Sequence, residues 1–197
     1  MNNSDNNLKQ RQEIILASAS ARRKDLLGLM GLEFTCIPSE ANENIEIVAP
    51  NDYVKLLAQR KAHDIAIKHK NACVIGSDTI VVLNNEIIGK PKDIQDAKAI
   101  LKKLSGKTHT VYTGVCVITN GRELVEVDKT DVTFRKLTDK EIDNYVATGD
   151  PMDKAGAYGI QGEFCVHITH MDGNFFTVIG LPVHTLYEML IKLNVID

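Results

Sequence analysis

An excess of positive charge is missing from this chain. Its formal net charge is −3, so it lacks the broad basic face that binding to DNA or RNA requires, and any anion it takes should be small. Long apolar runs are missing too, and none approaches the roughly 20 residues needed to cross a bilayer. The stretch from Met1 to Gln12 is polar and Asn-rich, without the apolar centre of a secretory signal. It reads as a loose tail, residues 1–12, ahead of a domain over residues 13–197. The four cysteines, Cys36, Cys73, Cys116 and Cys165, form no C-x-x-C pair and no zinc-like spacing. Scattered thiols of this kind behave as small hydrophobes and suit a reducing compartment. A cytoplasmic protein with neither nucleic acid nor membrane as partner is the expectation. Also absent is a G-x-S-x-G elbow, so acyl transfer has no candidate nucleophile, and the segment from Ser18 to Arg23, which has no glycine, is neither a G-x-G-x-x-G turn nor a G-x-x-x-x-G-K-[ST] phosphate loop. What is present is globular in balance, 44% hydrophobic and 25% charged over 197 residues, enough for one domain with its own core.

The periodicities alternate between strand and helix. Ile14 to Ala17 reads as a short strand running into a Ser-rich turn, then a helix carrying Leu26, Leu27, Leu29 and Met30 that stops at Gly31. A second helix is expected after Pro50, capped by Asn51 or Asp52, with Leu57, Lys61 and Ile65 on one face at four-residue spacing. Cys73 to Leu83 reads as buried strand with a polar break at Gly76-Ser77-Asp78, and Asn84-Asn85 as a turn into Glu86 to Ile88. A helix follows Asp93 with Ile94, Ala97, Ile100, Leu101 and Leu104 on one side, ended by Ser105-Gly106. Asn120-Gly121 predicts a type I′ hairpin whose second strand reaches Phe134. Thr138 and Glu141 form a capping-box pattern. Gly149 to Gly162 reads as an aperiodic, glycine-rich loop, Asp172-Gly173 as the turn of a last hairpin, and Pro182 as the first residue of a C-terminal helix. Interspersed strands and helices predict an α/β fold, a mixed twisted sheet flanked by helices.

Ser18, Ser20, Arg22 and Arg23 stand where a buried strand hands over to a helix, so hydroxyls, backbone N–H groups and guanidinium forks can face one phosphate. A serine-capped helix start with two solvated arginines accounts for the same residues. Asp78, flanked by Val74-Ile75 and Ile80-Val81-Val82-Leu83, needs a partner, since an unpaired carboxylate at that depth costs several kcal/mol. A divalent cation, a lysine or an activated water would serve, and so would local N–H groups if Asp78 is a turn residue. Lys61, Lys90 and Lys154 are cations expected to be held in place and able to neutralise a triphosphate together, although each alone fits a snorkelling surface lysine. Glu40 and Glu43 are acids that can complete a metal site with Asp78. His167 and His170, three apart on a strand, point to opposite faces and make no metal site.

The run Leu16-Ala17-Ser18-Ala19-Ser20-Ala21-Arg22-Arg23 resembles the opening motif of the Maf family, which usually has Pro where Ala21 stands. Gly76-Ser77-Asp78-Thr79, Gly89-Lys90-Pro91, Leu104-Ser105-Gly106 with His109, Thr113-Gly114, the segment from Asp153 to Gly162, and Gly180-Leu181-Pro182 follow in the family's order. The resemblance implies a fold related to the inosine triphosphatase group, a homodimer, and a nucleotide pyrophosphatase dependent on Mg²⁺ or Mn²⁺ in which water attacks the α-phosphorus. On the same resemblance Asp78 matches the proton acceptor, and Arg22, Thr79 and Gln161 match positions linked to substrate choice. Ser18, Arg23, Glu43, Lys61, Lys90 and Lys154 match polar positions of the pocket. The metal would sit on Asp78 and Glu43, the family's acidic pair standing here as Asn42-Glu43. Thr79 directly after the aspartate looks like the branch acting on dTTP and UTP, with a house-cleaning or division-linked role; the 7-methyl-GTP branch usually has Gln there. A non-catalytic nucleotide-binding regulator and a phosphatase with an aspartyl-phosphate intermediate are the rivals, the latter weakened by the lack of a D-x-D pattern at Asp78.

Overall fold

The structure, a computed structural model, describes residues 9–46 and 49–197. A seven-stranded mixed sheet carries helices on both faces, which is the architecture expected from the alternating periods. Strand β1 (Ile14–Leu16) lies parallel between β2 (Phe34–Cys36) and β3 (Cys73–Leu83). Strand β4 (Glu86–Ile88) folds back on β3, and β5 (Thr108–Thr119), β6 (Arg122–Phe134) and β7 (Ile168–Asp172) extend the sheet antiparallel. Asn84 and Asn85 have φ of 51° and 65°, and Asn120 and Gly121 of 48° and 73°, the left-handed pairs that type I′ hairpins need.

One face of the sheet is covered by α2 (Pro50–Ala66), whose Ala58, Ala62 and Ile65 pack on Ile15, Val74 and Cys116. The other carries two apolar clusters. One joins α1 (Ala21–Gly28) and α6 (Val183–Lys192) to Ile14, Leu16, Ile75, Val115 and Val117; the other joins α3 (Ile94–Leu104) and α4 (Asp139–Ala147) to Val81, Val111, Val132 and Phe134. Strand residues alternate between faces, so Ser77, Thr79 and Thr113 fall on the second face between these clusters. That polar seam positions the site.

Several expectations change. The polar break in β3 is no interruption: Asp78 sits mid-strand opposite Gly114, because its partner comes from α2 rather than from a turn. Asp172-Gly173 does not turn a hairpin; β7 pairs back with β6, and α5 (Phe175–Ile179) follows. Asn174 caps α5 by accepting the Phe176 N–H at 2.9 Å, a cap that decides an apolar run whose period fits strand or helix. Helix α2 starts at Pro50 without a side-chain cap, and Pro182 is the residue before α6 rather than its first. The loop from Gly149 to Gly162 contains short 3₁₀ turns at Asp150–Asp153 and Ala155–Ala157. Of the expected tail, residues 1–8 lie outside the described residues. Beyond them Gln10 bridges Ile196, and the Arg11 N–H donates to Val195 O at 2.9 Å. Cys73 and Cys116 are buried, Cys36 is half-buried and Cys165 is exposed, all as free thiols.

Candidate functional site

The inner edge of β3 pairs with β1 over residues 73–75 and with β4 over residues 81–83. Between them, Gly76 to Ile80 has no strand partner on that edge among the described residues, and a cleft of about 590 Å³ opens there. Strand alternation directs Asp78 toward α2 and Thr79 toward the opposite face. Both line the cleft.

Helix α2 lies unusually close to the sheet. A Cβ on Gly76 would stand 2.3 Å from Ala58 O, and one on Gly114 2.5 Å from Val54 O. Glycine at both positions therefore lets the helix carry Lys61 down to the strand. Lys61 Nζ donates to Asp78 Oδ1 at 2.6 Å and lies 3.0 Å from Glu43 Oε1. The Lys61 and Asp78 side chains are only 12% and 10% exposed, whereas Glu43 is 60% exposed at the rim. Among the described residues no hydrogen bond reaches Asp78 Oδ2, so one carboxylate oxygen is held and the other is left for a ligand. Tyr53, also lining the cleft, has its phenol pKa raised by burial and by the nearby charges of Asp78 and Glu43. Glu40 does not line the cleft, and its backbone N–H donates to Asp64 at 2.8 Å.

At the start of α1, Ser20 is the N-cap, accepting the Arg23 N–H at 3.4 Å. Ser18 is buried beneath it rather than lining the cleft, and accepts from the Ser20 N–H at 3.2 Å and from Arg23 Nη1 at 3.3 Å. Arg23 also donates to Gly180 O at 2.9 Å and Thr79 Oγ1 at 3.2 Å. Its guanidinium is clamped on three sides and still lines the cleft, with two of its five N–H groups unpaired among the described residues. Desolvation lowers its pKa, with Asp78 acting in the opposite direction. Arg22 faces the cleft and donates to Asp153 at 2.8 Å.

The far wall is the glycine-rich loop. Lys154 Nζ reaches Asp150 O at 2.6 Å, Asp150 Oδ1 at 3.0 Å and Asp153 Oδ1 at 2.7 Å. Tyr145 donates to Asp150 Oδ2 at 2.5 Å and accepts the Gly159 N–H at 3.0 Å. Burial opposes ionisation of Asp150 and Asp153, but bonds from Tyr145 and Lys154 to the first, and from Lys154 and Arg22 to the second, outweigh it and lower both pKa values. Lys90 and Gln161 line the rim and are exposed; Lys90 has no hydrogen-bonded partner among the described residues, unlike the held cation expected of it. The structure thus brings Arg22, Arg23, Glu43, Lys61, Asp78, Thr79, Lys90, Lys154 and Gln161 to one cleft, with Ser18 as support.

Sequence reasoning missed Tyr53, Asp150 and the part of Asp153 in the wall. Acids and phenols in ordinary loop and helix contexts carry no local signal. His167 is half-buried and His170 exposed, on no common site. Among the described residues no three His, Cys, Asp or Glu side chains are grouped to hold a metal ion. No helix among the described residues is long and apolar enough to cross a membrane. Cationic groups around a half-free, deeply set carboxylate can bind a polyanion and direct a water at it.

Residues 13–193 match the family described as Maf-like protein. The chain is 46% identical to a dTTP/UTP pyrophosphatase of Agathobacter rectalis over 93% of its length and 98% of that protein. It is 47% identical to a dTTP/UTP pyrophosphatase of Aquifex aeolicus over 93% of its length and 96% of that protein. Among solved structures it is similar to the Staphylococcus aureus Ham1 protein, at a TM-score of 0.43 and 19% identity, covering 65% of this chain and 73% of that one.

Proposed function

We propose, from the premise that this chain belongs to the Maf-like protein family, that it hydrolyses dTTP and UTP to the monophosphate and pyrophosphate. The observation that carries this reading is the buried Lys61–Asp78 pair on the floor of a cation-lined cleft. Arg22, Lys90 and Lys154 line the cleft and would neutralise the triphosphate, Arg22 and Lys154 exchanging their internal acids for substrate oxygens. Lys61 holds Asp78 by one oxygen, and the other oxygen takes the proton of a water as that water's oxygen bonds to the α-phosphorus. The bond from the α-phosphorus to the bridging oxygen breaks, and pyrophosphate leaves with the electron pair. Thr79 and Gln161, at the cleft lining beyond the Lys61–Asp78 pair, would meet the base.

A divalent cation, Mg²⁺ or Mn²⁺, fits the donor set. Asp78 and Glu43 are hard oxygen donors that already converge on one cationic centre, Lys61 Nζ. Two carboxylates, with remaining positions supplied by water and phosphate, is how such ions are commonly bound beside nucleotides. Once bound, the ion would lower the pKa of water and offset charge on the triphosphate. The same reading puts the protein in the cytoplasm, as its free thiols suit, and as a homodimer, which sedimentation tests.

The deciding experiment is chromatography after incubation with dTTP or UTP and Mg²⁺. Monophosphate with equimolar pyrophosphate is expected; diphosphate plus orthophosphate overturns the reaction, and binding without turnover makes the protein a nucleotide sensor. Full turnover in excess chelator would remove the metal.

A further inference from the structure

The polar seam between the two apolar clusters fixes the direction of each hydrogen bond in it. Thr113 Oγ1 lies 2.7 Å from Thr177 O and 3.0 Å from Thr79 Oγ1, and both Thr113 and Thr177 are fully buried. A carbonyl only accepts, so the one hydroxyl proton of Thr113 goes to Thr177 O, a carbonyl in the last turn of α5 where the helix offers no N–H to it. Thr113 is then left with lone pairs toward Thr79. The Thr79 hydroxyl must therefore donate to Thr113, since two facing lone pairs at that distance in a buried seam would leave both unsatisfied. On its other side Thr79 Oγ1 accepts from Arg23 Nη2 at 3.2 Å, and that guanidinium is itself fastened to Gly180 O at 2.9 Å. The relay runs one way, from Arg23 through Thr79 and Thr113 to the Thr177 carbonyl.

We infer that Thr79 shows the cleft an acceptor and no donor, and that Thr113, which does not touch the substrate, is the positioning residue that sets this polarity. The chemical consequence concerns the base. Uracil and thymine carry an N–H at ring position 3, whereas cytosine carries a bare acceptor nitrogen there. A locked lone pair welcomes the first and repels the second, so the relay selects UTP and dTTP against CTP. This deepens the proposed function and rests on its assignment of Thr79 to the base. An unrestrained threonine would not discriminate, because its hydroxyl could rotate to donate or accept.

The test compares wild type with Thr113→Val and Thr113→Ser. UMP and CMP carry the base without the reacting bond, so their dissociation constants, measured by calorimetry, read the inference whether or not pyrophosphate release is observed; kcat/KM for UTP and CTP is measured beside them. Wild type is expected to favour the uracil nucleotide. Thr113→Val, which frees the Thr79 proton to turn into the cleft, should shrink the uracil-to-cytosine ratio about 10-fold, chiefly by improving the cytosine nucleotide. Thr113→Ser, which keeps the hydroxyl, should restore the ratio to within about 3-fold of wild type. Equal weakening of both nucleotides by Thr113→Val, or a serine variant as indiscriminate as the valine one, would reduce Thr113 to structural support and overturn the inference. If Thr113→Val does not fold, Thr79→Val decides instead. It removes the lone pair at constant shape, and an unchanged ratio refutes the relay.

Discussion

Replacing Lys61 with Met deletes the ammonium 2.6 Å from Asp78 while preserving most of the stem that α2 lays against the sheet. The carboxylate left behind is 10% exposed and Lys61 itself only 12% exposed, so water can replace the lost partner only along the cleft. Removing one member of a fully buried pair costs about 3–5 kcal/mol. Access from the cleft and the proximity of the Arg23 guanidinium, which feels the Asp78 charge, move this case to the lower end, about 3 kcal/mol. Glu43, 60% exposed, adds little because solvent screens it. In a domain of this size the loss corresponds to a fall in Tm of roughly 6–12 °C. The assay is a double-mutant cycle by urea denaturation with Lys61→Met, Asp78→Asn and the double variant. Asp78→Asn alone should cost less than Lys61→Met, since the ammonium keeps Glu43 and solvent, and the double variant should recover much of the Lys61→Met loss. A double variant no more stable than Lys61→Met would refute the reasoning, because the damage would then lie in packing of the stem and not in an uncompensated carboxylate.

Asp78→Asn should lower kcat for dTTP at least about 100-fold while nucleotide still binds, general-base catalysis supplying about 10² to 10⁴; a folded variant turning over at the wild-type rate would make Asp78 purely structural. Gly76→Ala forces a Cβ to 2.3 Å from the Ala58 carbonyl, so α2 must withdraw; a loss of about 3 kcal/mol in urea unfolding is expected, together with a drop in kcat/KM as Lys61 leaves Asp78. His109 is buried, its Nε2 2.9 Å from the Tyr158 hydroxyl, and desolvation pushes its pKa down to about 4 from 6.5. Above pH 6.5 both folded and unfolded forms are neutral. As pH falls from 6.5 toward 4 only the unfolded chain gains the proton, so stability should fall by about 1.4 kcal/mol per pH unit in that window, and His109→Gln should flatten the profile of urea midpoints relative to wild type.

Strand and helix order was legible along the chain because helices that bury one face write a period into nearby residues, β3, buried on both faces, reads as one apolar run, and Asn120-Gly121 turns the hairpin its backbone chemistry demands. Lys61 was legible as an anomaly, a charge in the stripe of Leu57 and Ile65. The turn after Asp172 was misread because a five-residue apolar run has no period of its own. What the residues by themselves determined was that Asp78 needed a partner and that cations were available. Which partner, and in which direction, belonged to the tertiary structure: Lys61 rather than local N–H groups, Gly180 O as the anchor of Arg23, and Thr177 O as the end of the threonine relay. A hydrogen bond is decided by positions within about 3 Å, and residues 17, 64 or 157 apart in the chain reach that distance only after helix and sheet have packed.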